Sequence, residues 1–313
     1  MSSTLMLDHD QARLALPFEP LLAAVRRALV ETAAGRASAP PRIAAFGPHG
    51  LLGAMPGYVP GLGLGGKLTS VFGIAGAEGR SAHAGVVTLF DETDGRLLAI
   101  INGEAVTAIR TAASATVAFL ALRPPHVRRI AVIGAGTQAR AQLELLAHLG
   151  LGAEIIVASR TADHAQVLAD EVGVRAGDSI RHAVTEAEAV FVCTDADRPV
   201  IRHAWLQPLV HVSSVGGSRG PEIDAVTMRA GRVFAEWPGA VSCAPPAGAH
   251  ELQGFDPDAV RLVGDTLDTP SDVNRGTGLT VFKSTGFAAL DVAAAAVAHA
   301  TALERGLGTH VAL

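Results

Sequence analysis

VIGAGTQARAQLELLAHLGLGAEIIVASRT, residues 132–161, reads as a strand, a glycine turn, a helix and a second strand. Gly134 permits a tight turn after the first strand, and Gly136 leaves room for main chain to approach a pyrophosphate. Ala139 takes the third position, where the helix must pack closely on the strand. The helix opens at Thr137 and Gln138, so its free amides and the positive end of its dipole face a phosphate. Two glycines also occur in ordinary turns between a strand and a helix; the flanking elements, arriving on schedule, favour the dinucleotide reading. At the end of the second strand, where a carboxylate would hold the ribose 2′-hydroxyl of NAD, the chain has Ser159, Arg160 and Thr161. A guanidinium suits a 2′-phosphate, so NADPH is expected ahead of NADH, with an exposed loop arginine as the plainer alternative.

Working outward, AVFVCTDA (189–196), LVHVSSVGG (209–217) and RVFAEW (232–237) continue the alternation of strand and helix, which implies a parallel sheet with crossover helices. Upstream the pattern differs. An amphipathic helix over 17–35 with Pro17 near its start leads into a loop rich in Pro and Gly. LGGKLTSVF (64–72), HAGVVTLFDE (83–92) and GRLLAIING (95–103) then read as antiparallel strands, with DETDGR as a hairpin turn. A long helix over 105–122 reaches RPPHVRR (123–129), whose prolines and charges mark a boundary. LTVFKSTG (279–286) leads into an alanine-rich final helix. The expected fold is α/β: a Rossmann-type doubly wound parallel-sheet domain, residues 122–284, inserted in a discontinuous α+β domain made of 1–121 and 285–313.

Composition narrows the function classes. Apolar residues make up 49% and charged residues 18%, enough for large cores and contrary to disorder. The net charge of -5 gives no basic footprint for nucleic acid. The most apolar-looking run, 287–308, carries Asp291, His299 and Glu304 and is too weakly apolar for a bilayer span, so no membrane is expected. No secretory pattern opens the chain, which leaves the cytoplasm as the expected location. Cys193 and Cys243 lack metal-ligand spacing, and no metal site is expected.

Three cations stand in unusual surroundings. Arg42 follows two prolines, Lys67 precedes an apolar strand segment, and Arg110 lies within a helix of Ala, Val and Thr. Cations in apolar settings need an anionic partner: a substrate carboxylate is one, and an internal Asp or Glu, or escape of the head group to solvent, is the other.

Together, RIAAF with Arg42, GGKLTSVF with Lys67, TDGRLLAIINGEAVTAIRTAA with Arg110, the VIGAGTQA turn and LTVFKSTGFAALD resemble the ornithine cyclodeaminase and mu-crystallin family over nearly the whole chain. The resemblance implies a nicotinamide enzyme acting on amino acids or their cyclic imines, and a homodimer. It places Thr111, Thr194 and Lys283 beside the cofactor with the glycine turn, and Arg110 within reach of both ligands. It places His83, Ser218, Thr285 and Gly286 beside the substrate. Ser284 or Thr285 could instead serve only as a helix cap.

Within that family, cyclodeaminases have an Asp where VGGSRGPEID (215–224) has Ser218, and a serine cannot act as a carboxylate base or balance an ammonium. The ketimine reductases resemble this chain there. The expectation is therefore NADPH-dependent reduction of Δ1-pyrroline-2-carboxylate or Δ1-piperideine-2-carboxylate to L-proline or L-pipecolate. Arg42 and Arg110 would clamp the carboxylate, while Lys67 would bind it or serve as the acid. The alternatives are an alanine-type amino-acid dehydrogenase, an ornithine cyclodeaminase and, in another class, an NADPH-dependent small-ligand-binding protein.

Overall fold

The computed structural model describes residues 3–72, 83–268 and 278–312. The chain forms two compact units. Unit 1 comprises Met1–Arg110 and Phe287–Leu313, and unit 2 comprises Thr111–Gly286.

Unit 1 is built on a seven-stranded sheet of order β15-β1-β6-β5-β4-β3-β2. Its strands are β1 (Ser3–Leu7), β2 (Ile43–Phe46), β3 (Leu51–Val59), β4 (Gly63–Val71), β5 (His83–Phe90), β6 (Leu97–Asn102) and β15 (Thr309–Ala312). Only β1 and β6 pair in parallel. The alternating pattern of 64–103 produced β4, β5 and β6, as the periodicity predicts. The segment read as a Pro- and Gly-rich loop instead contains β2 and β3, with Pro56 inside β3. Proline is tolerated because β2 pairs β3 only from Leu51 to Ala54, so on that side Pro56 lies beyond the ladder and no bond needs its missing N–H.

The helix Phe18–Ala33 has Pro17 at its N-cap and packs against the C-terminal helix Ala288–Arg305. That C-terminal helix lies close on β3 and β4, and two glycines make the approach possible. A Cβ on Gly57 would sit 2.8 Å from that of Ala288, and one on Gly65 would sit 3.2 Å from Val292. The alanines of the helix thus act as packing surface, and a short acidic side chain on it can reach the sheet.

Unit 2 carries an eight-stranded sheet of order β13-β12-β14-β11-β10-β7-β8-β9. The central strands are β7 (Arg129–Ile133), β8 (Glu154–Ala158), β10 (Ala189–Val192), β11 (His211–Ser214), β12 (Arg232–Ala235) and β14 (Thr280–Lys283). The short β9 (Arg175–Ala176) and β13 (Val260–Leu262) at the two edges went unread in the sequence. Every pairing is parallel. Because β7 lies between β8 and β10, the chain order reverses beside it. Ligands of doubly wound sheets bind at the carboxyl edge of that switch point.

The helix Gly103–Leu122 supplies residues to both units. The division falls after Arg110, ahead of the Pro-rich boundary read from RPPHVRR. The reason is packing: Ala115 and Phe119 join Ile130, Val132 and Phe191 in one buried cluster, and Thr116 accepts a 2.9 Å hydrogen bond from Gln142. This helix is long and apolar enough to cross a membrane by length and composition, but most of it is buried inside the protein.

Candidate active site

In unit 1 the site grows from β4. Alternation along that strand turns Lys67 to the side covered by the C-terminal helix and leaves Leu64 and Leu68 exposed on the other. Asp291 lies in the first turn of that helix, where its charge also suits the dipole, and is itself buried. Lys67 Nζ lies 3.4 Å from both Asp291 Oδ1 and Thr107 Oγ1. Arg110 Nε donates to the same Asp291 Oδ1 at 3.0 Å. Asp291 therefore serves two buried cations through one oxygen, and its Oδ2 is buried with no partner among the described residues.

Burial pushes the Lys67 amine down from its usual range to about 8. The charge of Asp291 works against that shift, while Arg110 and Arg42 reinforce it. Arg42, half-buried just before β2, thus contributes its field to the same cluster. The internal-carboxylate alternative for these cations is realised in part. One carboxylate shared by Lys67 and Arg110 leaves these three groups net positive, and Arg110 holds it only by Nε. The two terminal guanidinium nitrogens of Arg110 have no partner among the described residues. His83 begins β5, but its side chain lies outside the described residues.

In unit 2 the glycine turn has the local structure that a dinucleotide needs. Gly134 adopts φ +122°, and a Cβ there would meet the carbonyl oxygen of Cys193 at 2.3 Å, so the first position requires glycine. Open space lies above Gly136, which is the N-cap of the helix Thr137–Leu149 and leaves that helix end without a side-chain cap. Its first amides are therefore available to an anion. Gln138 Oε1 is buried there without a described partner. Ala139 is fully buried, as close packing of helix on strand demands. Arg160 and Thr161 are exposed at the end of β8, and Ser159 donates its hydroxyl to the Thr161 carbonyl at 2.6 Å. Thr111 is buried, one residue beyond Arg110. These residues fit a nicotinamide dinucleotide.

The carboxyl edge also contains a buried ion network that the sequence reading missed. Lys283 Nζ donates to Ser214 Oγ at 2.7 Å and to the Gly216 carbonyl at 2.9 Å, and it pairs with Glu251 at 3.1 Å. Its three N–H groups are thereby used, and its side chain is wholly buried. Lys283, expected beside the cofactor, thus has its amine engaged within the protein; guanidinium's planar fork could not meet this tetrahedral set, whereas an ammonium does. Glu222 accepts from the Thr194 amide at 2.9 Å, the Thr194 hydroxyl, Ser214 Oγ at 2.6 Å and the Gly216 amide at 2.9 Å. The network ties the loop after β10 to the loop after β11. Above it, Asp195 accepts from Ser218 Oγ at 3.2 Å and pairs with Arg219 at 3.2 Å. Ser218 thus stands beside a carboxylate supplied by another loop.

Ser284, Thr285 and Gly286 are organised by a second unforeseen carboxylate. Buried Glu236 accepts from Ser284 Oγ and the Thr285 amide, each at 2.8 Å, and from the Gly286 amide. Trp237 Nε1 donates to Thr285 Oγ1 at 3.0 Å. The following helix has Phe287 as its N-cap, with no side-chain bond. An acid at the end of a strand, as in RVFAEW, was the available signal for Glu236; an acid in the first turn of an alanine-rich helix was the signal for Asp291.

Known proteins resemble this chain in sequence and in fold. The mouse ketimine reductase mu-crystallin is 32% identical over 259 residues, covering 79% of both chains. A Δ1-pyrroline-2-carboxylate/Δ1-piperideine-2-carboxylate reductase of Azospirillum brasilense is 31% identical over 307 residues, covering 94% of both. The structure of Thermococcus litoralis Δ1-pyrroline-2-carboxylate reductase in complex with NADH and L-proline superposes with a TM-score of 0.86 at 25% identity, covering 98% of this chain and 100% of that one. A family model matches residues 3–306, and with it the chain belongs to the ornithine cyclodeaminase/mu-crystallin family.

Proposed function

We propose that the protein reduces the C=N bond of cyclic ketimine carboxylates, Δ1-pyrroline-2-carboxylate or Δ1-piperideine-2-carboxylate, to L-proline or L-pipecolate, with NADPH used in preference to NADH. The observation that carries this reading is the unbalanced charge around Asp291, where one carboxylate oxygen serves both Lys67 and Arg110. A substrate carboxylate restores the balance, and the terminal nitrogens of Arg110 offer it two parallel charge-assisted bonds. The names of the mouse and Azospirillum relatives support the same reaction class.

Each group then has a role. Arg110 and Arg42 hold the carboxylate and so fix the orientation of the ring. Lys67, still mostly ammonium at neutral pH with its midpoint at about 8, gives a proton to the imine nitrogen. The open amides at the start of the helix Thr137–Leu149 hold a pyrophosphate, and Arg160 holds a 2′-phosphate. When bound, the nicotinamide cofactor supplies the hydride. Ser218 bonded to Asp195 replaces the free carboxylate that a diamine substrate would need.

The test follows oxidation of NADPH and of NADH with both ring sizes. Turnover of either ring with NADPH preferred is expected, and Arg160→Ala should lower kcat/KM for NADPH about 10- to 100-fold while sparing NADH. Turnover confined to acyclic 2-oxo acids with ammonia would make the protein an amino-acid dehydrogenase. Catalytic ammonia release from ornithine would restore the cyclodeaminase.

A homodimer is proposed as well. Ile43, Leu52, Leu64 and Leu68 are exposed large apolar residues on one face of the unit 1 sheet, and a cluster of this kind marks an association surface. Light scattering should give twice the chain mass of 32.0 kDa, and Leu64→Glu with Leu68→Glu should halve it. A monomeric wild type would remove the proposal.

A further inference from the structure

Among 313 residues the chain has only two lysines, Lys67 and Lys283; every other basic charge of the Lys/Arg class is arginine. Both lysines are buried, and both rest on carboxylates. Their partners differ in number. Lys283 has its donors fully used by close acceptors at 2.7, 2.9 and 3.1 Å. Lys67 has two contacts, each at 3.4 Å, and keeps one N–H for a ligand. Its charged contact is a single atom, Asp291 Oδ1, which Arg110 Nε shares at 3.0 Å.

We propose that Asp291 is the positioning residue of the site: through Oδ1 it sustains the charge of the Lys67 amine and turns Arg110 so that its two terminal nitrogens are presented to a ligand. The proposal deepens the reductase reading and rests on it only for the catalytic consequence. The geometry explains why one oxygen is used twice. A guanidinium gripped side-on by both carboxylate oxygens would lose a terminal nitrogen to Asp291; gripped by Nε alone it keeps both. The charged groups facing Lys67 are Asp291 from the C-terminal helix, Arg110 from the helix Gly103–Leu122 and Arg42 from the segment before β2. Thr107 is a neutral acceptor. Among the described residues Asp291 is thus the one charged group that favours the ammonium, against burial and two arginines.

With two lysines, the protein labelled with 13Cε-lysine gives two side-chain signals, assigned by Lys67→Met. In the wild type the Lys67 signal is expected to titrate at about 8. Asp291→Asn, which keeps shape and removes charge, should move that midpoint down by about 1 to 3 pH units and leave the Lys283 signal in place. Arg110→Ala, a second variant that leaves Asp291 to Lys67 alone, should move it up. A midpoint unmoved by both changes overturns the proposal. In parallel, the alkaline limb of kcat/KM in Asp291→Asn should move to lower pH with the amine, an effect that a purely structural aspartate would not produce. If the amine moves and the limb does not, Asp291 still positions Lys67, and the assignment of Lys67 as the acid fails instead.

Discussion

Lys67→Met is expected to lower kcat/KM for the cyclic imine by about 10²- to 10⁴-fold, the range that a positioned general acid contributes. The pH profile separates this from simple loss of binding. The ammonium is the active form, so wild-type kcat/KM should be level below the amine midpoint of about 8 and fall tenfold per pH unit above it. In Lys67→Met that limb should vanish. Stability should not confuse the result. A lysine whose midpoint is lowered on folding costs stability while it is protonated, and that cost fades as pH rises from about 8 to the ordinary value of 10.5. Methionine removes this cost, and Asp291 remains paired with Arg110. An unchanged limb in Lys67→Met would assign the titration to the substrate and leave Lys67 as an electrostatic contact.

Arg110→Ala should be comparably severe. Truncating one partner of a buried, hydrogen-bonded charge pair costs about 2 to 5 kcal/mol, equivalent to a fall of about 30- to 5,000-fold in kcat/KM. Much of the loss should appear in KM, because the substrate carboxylate loses its two-point contact, and some in kcat, because the ring is less firmly oriented. Arg110→Lys should recover little. An ammonium cannot both hold Asp291 and present two parallel donors to a second carboxylate. Kinetics of both variants with either ring decide the matter, and full activity in Arg110→Lys would show that charge alone suffices.

Both expectations concern residues that the sequence displays openly. Lys67 and Arg110 stand out because a cation among Gly, Ala, Val and Thr requires an explanation. Their partner did not stand out. Asp291 was visible as a charge in an alanine-rich helix, but the contact with Lys67 spans 224 residues and that with Arg110 spans 181. Lys283 illustrates the same limit in reverse. Its motif suggested a place beside the cofactor but gave no sign that the fold would engage its amine with Ser214, Gly216 and Glu251. Glu236 likewise acts on Ser284, Thr285 and Gly286 across about fifty residues of chain.

Periodicity and glycine placement by themselves determined the parallel sheet of unit 2, its dinucleotide turn and the central antiparallel strands of unit 1, because these depend on local backbone preferences and on which face of an element is apolar. The sequence also determined that three cations would need an anion. Only the tertiary structure decided how much of that charge is met internally, and it did so by close packing. Gly57 and Gly65 allow the C-terminal helix to lie against β3 and β4, so that the short side chain of Asp291 reaches Lys67 and Arg110 at once. A single carboxylate placed there offsets only part of the positive charge of Lys67 and Arg110, and the remainder is the charge that the proposed reaction assigns to a substrate anion.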